Sequence, residues 1–144
     1  MTANSILKEK GIKITQNRLE LLEVLEKSEN PINPKEIEKQ LNISLDRVTL
    51  YRNLKFFVDN KIVHKIEVNG SITTYSLNRS ILNKAHSNSE HLHFHCNLCD
   101  GVTCMPQCKI KEHDLPKGFV QQSSQLIVNG ICNVCSKNND RKAN

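Results

Sequence analysis

The chain has 144 residues, no tryptophan and a net charge of +5, which allows one or two small domains, each near the lower size limit for an adequate core. No segment is long and apolar enough to span a membrane, and Met1 to Lys10 lacks the basic and then apolar pattern of a signal peptide. We therefore expect a cytoplasmic protein without a membrane partner, whose six cysteines serve metal or redox chemistry rather than disulfides.

Helical patterns fill the beginning of the chain. A short helix is expected before Gly11, and Thr15 can cap a second helix that runs through Lys27. A third helix is expected to begin at Pro34, with Asn33 as its cap. The apolar residues of the second helix that should face the core are Leu21, Leu22 and Leu25.

A fourth helix is expected to follow Ser44, its predicted cap, and to reach about Asn60. Its apolar residues recur at helical spacing and predict a buried stripe of Leu50, Leu54, Phe57 and Val58. Residues 61–68 and 71–77 should form a hairpin, because the Asn69-Gly70 pair between them favours a two-residue turn. Three helices followed by a hairpin predict a winged helix, in which the fourth segment is the recognition helix.

The outward side of this recognition helix carries residues suited to DNA. Arg47, Tyr51 and Lys55 recur at four-residue spacing, and Thr49 and Arg52 lie beside them. Arginine can bind a guanine edge or a phosphate, tyrosine can pack on a thymine methyl group, and lysine neutralises phosphate. The alternative is that these are ordinary solvated positions of an amphipathic helix. The short third helix and its tight connection to the fourth favour DNA binding.

The second half of the chain is predicted to be rich in strands. Strands are expected at 92–96, 102–104 and 119–128, with a helix around 108–114 and a frayed polar tail after Cys135. A three-stranded sheet this small gains stability by pairing with another copy of itself. We therefore expect a homodimer with an intersubunit β-sheet.

The composition divides the chain, because all six cysteines and five of the six histidines follow residue 85. The predicted organisation is a winged-helix domain at 1–80, a hinge at 81–90, and a small α/β metal-binding dimerisation domain at 91–144. The expected fold class is therefore α+β.

Two Cys-x-x-Cys pairs, Cys96 with Cys99 and Cys132 with Cys135, predict a structural metal site. Two thiolates on one tight turn can reach the same tetrahedral ion, and two such turns complete the four-thiolate shell that zinc prefers. The alternatives are a redox dithiol and a rubredoxin-like iron site. A redox pair usually opens a helix in a βαβ unit, which is missing from the predicted elements.

Three histidines precede the first cysteine pair, and they predict a second site. Side chains alternate along a strand, so His91, His93 and His95 should share one face and Cys96 the other. His91 and His93 supply two ligands of this second site. The other candidates are His86, Cys104, Cys108 and His113. His95 is either solvated or part of a third site, and His64 is given no metal role.

The chain resembles the ferric uptake regulator family of metal-dependent repressors from residue 12 to residue 135. The resemblance is carried by four motifs in a matching order: I-T-Q-N-R, T-L-Y-R-N-L, H-x-H before C-x-x-C, and G-I-C-N-V-C. It implies a winged helix, a hinge and a dimerisation domain. It also implies that Thr49, Tyr51 and Arg52 occupy the DNA recognition motif, that Lys13 and Arg18 approach the DNA backbone or minor groove, and that the four paired cysteines hold structural zinc.

The sensory site matches the family less closely. His91 and His93 fit its H-x-H motif, but Cys104 stands where iron- or peroxide-sensing members usually have a carboxylate, and Ser76 and Ser124 replace two other ligands. Exchanging carboxylate for thiolate favours zinc over iron. The set His86, His91, His93 and Cys104 resembles the mixed sites of zinc uptake regulators. We expect Zn²⁺ as the regulatory ion, with Fe²⁺ or Mn²⁺ as the alternatives.

The predicted function is that of a repressor, not an enzyme, which binds a palindromic operator as a dimer when its sensory site is filled. One alternative is an iron- or peroxide-responsive member of the same family. Another, from a different class, is a redox or metal-trafficking protein stabilised by zinc, with or without a thiol-based enzyme activity.

Overall fold

The computed structural model describes residues 2–79, 91–110, 114–122 and 124–142, with side chains up to residue 140. The chain divides into two compact units, Met1–Ser87 and Asn88–Asn144, which are described separately below. Helices and sheets are mixed in an α+β architecture, as expected. Within the described ranges, no helix combines the length and the apolar character that a membrane crossing requires.

The first helix of unit 1 precedes Gly11 as expected, and the second and third helices begin where the sequence predicts. They are α1 (Ala3–Glu9), α2 (Gln16–Lys27) and α3 (Pro34–Gln40). Each is capped by a side-chain oxygen that accepts a backbone N–H of the first turn, from Thr2, Thr15 and Asn33 respectively. Asn33 also receives a return bond, because its own N–H donates to the carboxylate of Glu36. Short polar side chains thus determine these helix starts.

The fourth helix, α4 (Arg47–Asp59), begins later than predicted. Its cap is Asp46 and not Ser44. The carboxylate of Asp46 accepts the Thr49 N–H at 3.1 Å and the Thr49 hydroxyl at 2.6 Å, and these two bonds lower the pKa of Asp46. An ionised carboxylate also complements the positive end of the helix dipole, which a serine does not do.

Replacing each of the two candidate caps by alanine in turn tests the assignment of Asp46 as the cap. Asp46→Ala should lower the thermal unfolding midpoint of the protein by several degrees, because the Thr49 N–H and the Thr49 hydroxyl lose their acceptor. Ser44→Ala should leave that midpoint unchanged, since Ser44 lies outside the helix. Differential scanning calorimetry of both variants at pH 7 measures the difference. Equal loss in the two variants would contradict the assignment.

A two-stranded antiparallel hairpin completes unit 1. Strands β1 (Val63–Val68) and β2 (Ile72–Leu77) pair in register from Val63 opposite Leu77 to Val68 opposite Ile72. Asn69 and Gly70 both adopt positive φ, at 52° and 68°, as the predicted tight turn requires. A short bridge between Ile32 and Tyr75 attaches the α2–α3 connection to β2.

The core of unit 1 lies between the helices and this hairpin. The predicted inward residues of α2 are buried, and so are Leu50, Leu54 and Phe57 of α4, whereas Val58 is only partly buried. Helix α4 therefore packs its apolar side against the core and leaves the opposite side exposed.

Unit 2 contains a three-stranded sheet and one helix in its described part. The strands are β3 (His91–Cys96), β4 (Val102–Lys109) and β5 (Leu126–Gly130), and the helix is α5 (Asn133–Lys142). Strand β3 lies in the centre, antiparallel to β4 and parallel to β5. Both edges of β3 are therefore paired, and its side chains can contact those of β4 and β5.

Three predictions for this unit were wrong: the helix around 108–114, the start of the strand at 119–128 and the frayed tail after Cys135. Strand β4 continues to Lys109, so the predicted helix around 108–114 is wrong at its start, and residues 111–113 lie outside the described ranges. The register shifts between His91 and Leu92, which lets residues 106–108, including Pro106, bulge from the ladder. Strand β5 begins only at Leu126. The tail after Cys135 is helical as far as Lys142.

Candidate metal centres and nucleic-acid interface

The two Cys-x-x-Cys pairs meet at one end of the unit 2 sheet. Cys96 ends β3 and Cys99 closes the turn after it, while Cys132 and Cys135 lie at the start of α5. All four sulfurs lie within 4.8 Å of one another, and the Cys99 and Cys132 sulfurs are 4.0 Å apart. Zinc–sulfur bonds of about 2.3 Å in a tetrahedron separate the sulfurs by roughly 3.8 Å. The donor set therefore fits a zinc ion.

Backbone N–H groups prepare this cluster for a cation. The N–H of Cys132 donates to the Cys96 sulfur at 3.3 Å, and the N–H of Cys135 donates to the Cys132 sulfur at 3.4 Å. The bonds from the Cys132 and Cys99 backbone lower the pKa of Cys96 to about 6. A side-chain hydrogen bond with Cys132, followed by desolvation, raises the pKa of Cys135 to about 12. The backbone donors thus favour the thiolate of Cys96, and a bound cation would favour the thiolate of Cys135 as well.

The turn that presents Cys99 has little spare room. Asp100 adopts a positive φ of 58°, and its N–H donates to the Cys96 carbonyl at 2.9 Å. A methyl group at Gly101 would lie 3.3 Å from the Cys99 sulfur, which is closer than a comfortable contact. The close approach of backbone to sulfur explains a glycine at this position.

A second donor group lies on β3 and β4, within unit 2. His93 is the direct cross-strand partner of Cys104, and His91 is two residues away on the same face. One donor atom from each of these three side chains lies within 4.8 Å of the other two, and the two imidazole rings are 4.6 Å apart. Cross-strand pairing therefore brings together three of the four predicted sensory residues. The fourth, His86, lies outside the described residues.

His93 is suited to bind a metal at neutral pH. It is 7% exposed, and burial followed by the neighbouring His91 lowers its pKa to about 4. The ring is therefore neutral at pH 7, which is the form of histidine that binds a metal ion. Of the other predicted candidates, Cys108 is exposed in the β4 bulge, and His113 is outside the described residues.

His95 differs from the other two histidines of β3. It is 4% exposed, so it is not solvated. Its Nδ1 lies 2.9 Å from the Asn129 side-chain oxygen and its Nε2 lies 3.2 Å from the Asp100 carboxylate. The ring therefore connects β5 to Asp100, directly after the first cysteine pair, and its two nitrogens both contact protein groups.

The exposed side of α4 presents the predicted DNA-contacting residues. Arg47 and Arg52 are exposed and Tyr51 is 49% exposed. Arg47 makes a long ion pair of 3.9 Å with Glu38 and its side chain is exposed, so its guanidinium can reach another partner. The Thr49 hydroxyl, by contrast, donates to Asp46. Among these residues, Thr49 therefore serves the helix cap.

Lys13 and Arg18 lie at the other predicted contact point. Lys13 is exposed, in the connection between α1 and α2. Arg18 is partly buried, with its guanidinium 4.3 Å from the centre of the Phe56 ring and its Nη1 donating to the Lys13 carbonyl at 2.7 Å. The Lys13 side chain is therefore exposed to solvent, whereas the Arg18 guanidinium is already in contact with Phe56 and the Lys13 carbonyl.

Comparison with known sequences places these features in a family. Residues 9–137 match the ferric uptake regulator family. The ferric uptake regulation protein of Staphylococcus epidermidis is 32% identical over 149 aligned positions, which cover 99% of this chain and 96% of that protein. The protein of the same name from Staphylococcus aureus strain Mu50 is 31% identical over 139 positions, with 92% and 95% covered.

Solved structures share the fold at lower sequence identity. The Vibrio cholerae ferric uptake regulator superposes with a TM-score of 0.62 at 24% identity, covering 90% of this chain and 98% of that one. A zinc uptake regulator in complex with zinc and DNA superposes with a TM-score of 0.70 at 19% identity, covering 96% and 93%.

Proposed function

The chain belongs to the ferric uptake regulator family, and we propose that it is a homodimeric repressor that binds a palindromic operator when its sensory metal site is filled. Proteins of this family are metal-responsive transcription regulators and not enzymes. Beyond this family role, we propose which ion is sensed, that the protein is a dimer, which kind of operator it binds, which residues contact DNA and that it acts in the cytoplasm. The cluster of His91, His93 and Cys104, separate from the four cysteines, is the observation that carries it.

The DNA-binding part of the proposal is a winged helix in residues 1–80. Helix α4 would lie in the major groove, where Arg47, Tyr51 and Arg52 can read base edges or bind phosphate. Their exposure on one side of the helix supports this role. Lys13 would add a contact with the backbone or minor groove. Thr49 would act there through the geometry of the helix start, since its hydroxyl already binds Asp46.

The two donor groups of unit 2 would have different functions. Cys96, Cys99, Cys132 and Cys135 would hold a permanent Zn²⁺, which the sulfur spacing supports. His91, His93 and Cys104 would hold the exchangeable regulatory ion, with His86 as fourth ligand. Tetrahedral zinc needs that fourth donor.

Zinc is the regulatory ion that the donor chemistry favours. A thiolate and imidazoles form a soft to intermediate set that suits zinc better than Fe²⁺ or Mn²⁺, which favour carboxylates. The second candidate is an iron-responsive regulator. It is favoured by the names of the two staphylococcal relatives, both of them ferric uptake regulation proteins. The two candidates differ in which ion raises operator affinity.

The regulatory ion would act by coupling the hinge at 81–90 to the dimerisation domain at 91–144. An ion that binds the DNA-competent arrangement more tightly shifts the population towards it, and DNA binding then strengthens ion binding by the same factor. Without the ion, operator binding must offset the entropy of ordering two DNA-binding domains. This is why the proposed repressor needs metal.

Selection from a random duplex DNA library tests the function without a known operator. Parallel selections contain chelator, Zn²⁺, Mn²⁺ or, under anaerobic conditions, Fe²⁺. We expect a palindromic sequence to be enriched with Zn²⁺, and fluorescence anisotropy to show operator affinity about 5–150-fold higher than in chelator. The same response to Fe²⁺ alone would select the iron-responsive candidate. Equal affinity in chelator and in every metal would overturn the proposal.

The dimer would form through the free edge of the unit 2 sheet. Strand β5 is one of the two edge strands in the described part of the sheet, and its Leu126 and Val128 are 44% and 38% exposed. Unpaired strand edges with apolar side chains invite pairing with a second copy. Leu126→Glu should therefore produce monomers at micromolar concentration in sedimentation velocity. Val120→Glu, at an 86% exposed position outside the strands, is the control and should remain dimeric. Dimers of both variants would exclude this edge.

A further inference from the structure

We propose that Arg18 is a positioning residue, which holds the segment carrying Lys13 against α4, and that Lys13 makes the DNA contact. This inference rests on the proposed DNA-binding function. The resemblance to the family places both residues near DNA, but the structure separates them by what their charged groups contact.

The first step is the contact that Arg18 makes with α4. Its guanidinium carbon lies 4.3 Å from the centre of the Phe56 ring, in cation–π geometry. The Phe56 ring is in turn packed edge to face on Phe57, with 6.1 Å between the centroids. Phe57 is fully buried in the unit 1 core. Arg18 is therefore anchored to the core through two aromatic rings of α4.

The second step is the contact with the Lys13 segment. The Nη1 of Arg18 donates to the Lys13 carbonyl at 2.7 Å. On one side of Lys13, the N–H of Ile12 donates to the Leu7 carbonyl at 2.9 Å, and on the other side Thr15 caps α2. The bond from Arg18 fixes the carbonyl between these two points, so the segment is attached to α1, α2 and, through Arg18, to α4.

The third step concerns charge. The Lys13 side chain is exposed and its ammonium group can neutralise a phosphate. The Arg18 side chain is partly buried, with one face on a ring and one donor on a carbonyl, so fewer of its donors can turn to DNA. Fixing Lys13 relative to the recognition helix before DNA arrives lowers the ordering cost of binding. Arg18 would thus raise affinity without a phosphate contact.

A double-mutant cycle with a salt titration tests this role. The variants are Arg18→Gln, Phe56→Leu, the double variant and Lys13→Ala, each as the full-length metal-loaded protein with the selected operator. Phe56 has no charge to offer to DNA. We expect Arg18→Gln and Phe56→Leu each to weaken binding about 3–10-fold, and the double variant to be no weaker than the worse single variant. Lys13→Ala should lower the salt slope by about one, and Phe56→Leu should leave it unchanged.

A measurement without DNA separates this inference from the proposed function. Amide hydrogen exchange of the free protein should become faster at residues 12–15 in Arg18→Gln and in Phe56→Leu, and should stay unchanged in Lys13→Ala. If wild-type protein selects no DNA, the proposed function fails while the exchange data still decide whether Arg18 holds the segment. If Phe56→Leu exchanges and binds like wild type, and Arg18→Gln weakens binding with a salt slope lower by one, Arg18 is a direct DNA contact and the inference is overturned.

Discussion

Cys96→Ser is expected to leave unit 2 unfolded and the purified protein without zinc. Cys96 is fully buried and accepts the Cys132 N–H, so its loss removes one ligand and the contact between the two cysteine turns. Structural zinc contributes roughly 10–16 kcal/mol in small domains, which is comparable to or larger than the about 5–15 kcal/mol that stabilises a whole domain. A site with three thiolates therefore cannot sustain the fold of so small a unit.

Cys108→Ser is the matched control for this experiment. It makes the same thiol-to-hydroxyl exchange at an exposed cysteine outside both donor groups, and should retain about one zinc per chain after mild chelation. Metal analysis after gel filtration, together with two-dimensional amide NMR spectra, measures both properties. A Cys96→Ser protein that keeps dispersed unit 2 resonances and its zinc would contradict the structural site.

His93→Ala is expected to separate folding from metal response. The variant should remain a folded dimer with one zinc per chain, because His93 lies outside the four-cysteine cluster. Its operator affinity should no longer change with added metal, so the expected coupling of about 5–150-fold falls to none. The measurement is operator anisotropy in chelator and in Zn²⁺, with sedimentation velocity and metal analysis of the same sample.

Cys104→Ser strengthens this test, because the strand offers a control four residues away. Cys104 and Cys108 both lie in β4, but only Cys104 is the cross-strand partner of His93. Cys104→Ser should lose the metal response and Cys108→Ser should keep it. If His93→Ala instead unfolds unit 2 and releases zinc as Cys96→Ser does, the division into two metal sites is wrong.

The same series identifies the fourth ligand of the regulatory site. His86→Ala removes the proposed fourth donor that tetrahedral coordination needs. Loss of the metal response with retention of the structural zinc would identify His86 as that ligand.

Elements whose signals are local could be predicted from the sequence. Thr15 and Asn33 cap their helices as expected, because a short polar side chain meets the orphan N–H groups within the same turn. Asn69-Gly70 forms the predicted turn because positive φ at two successive positions is a property of these residues themselves. The predicted start of α4 was wrong because Ser44 and Asp46 are both local candidates for the cap, and the folded loop places Asp46 where its carboxylate accepts the Thr49 N–H.

The candidate sites likewise combine features that the sequence predicts with contacts that only the tertiary structure creates. The sequence alone determined the pairing of Cys-x-x-Cys motifs and the His-x-His spacing on a strand, because tetrahedral coordination and strand periodicity each restrict which neighbours can share an ion. Only the tertiary structure decided that His95 binds Asn129, 34 positions away, and that Arg18 rests on Phe56. It also decided that His93 faces Cys104. These contacts join segments distant in sequence, and chain packing, which no local pattern records, selects them.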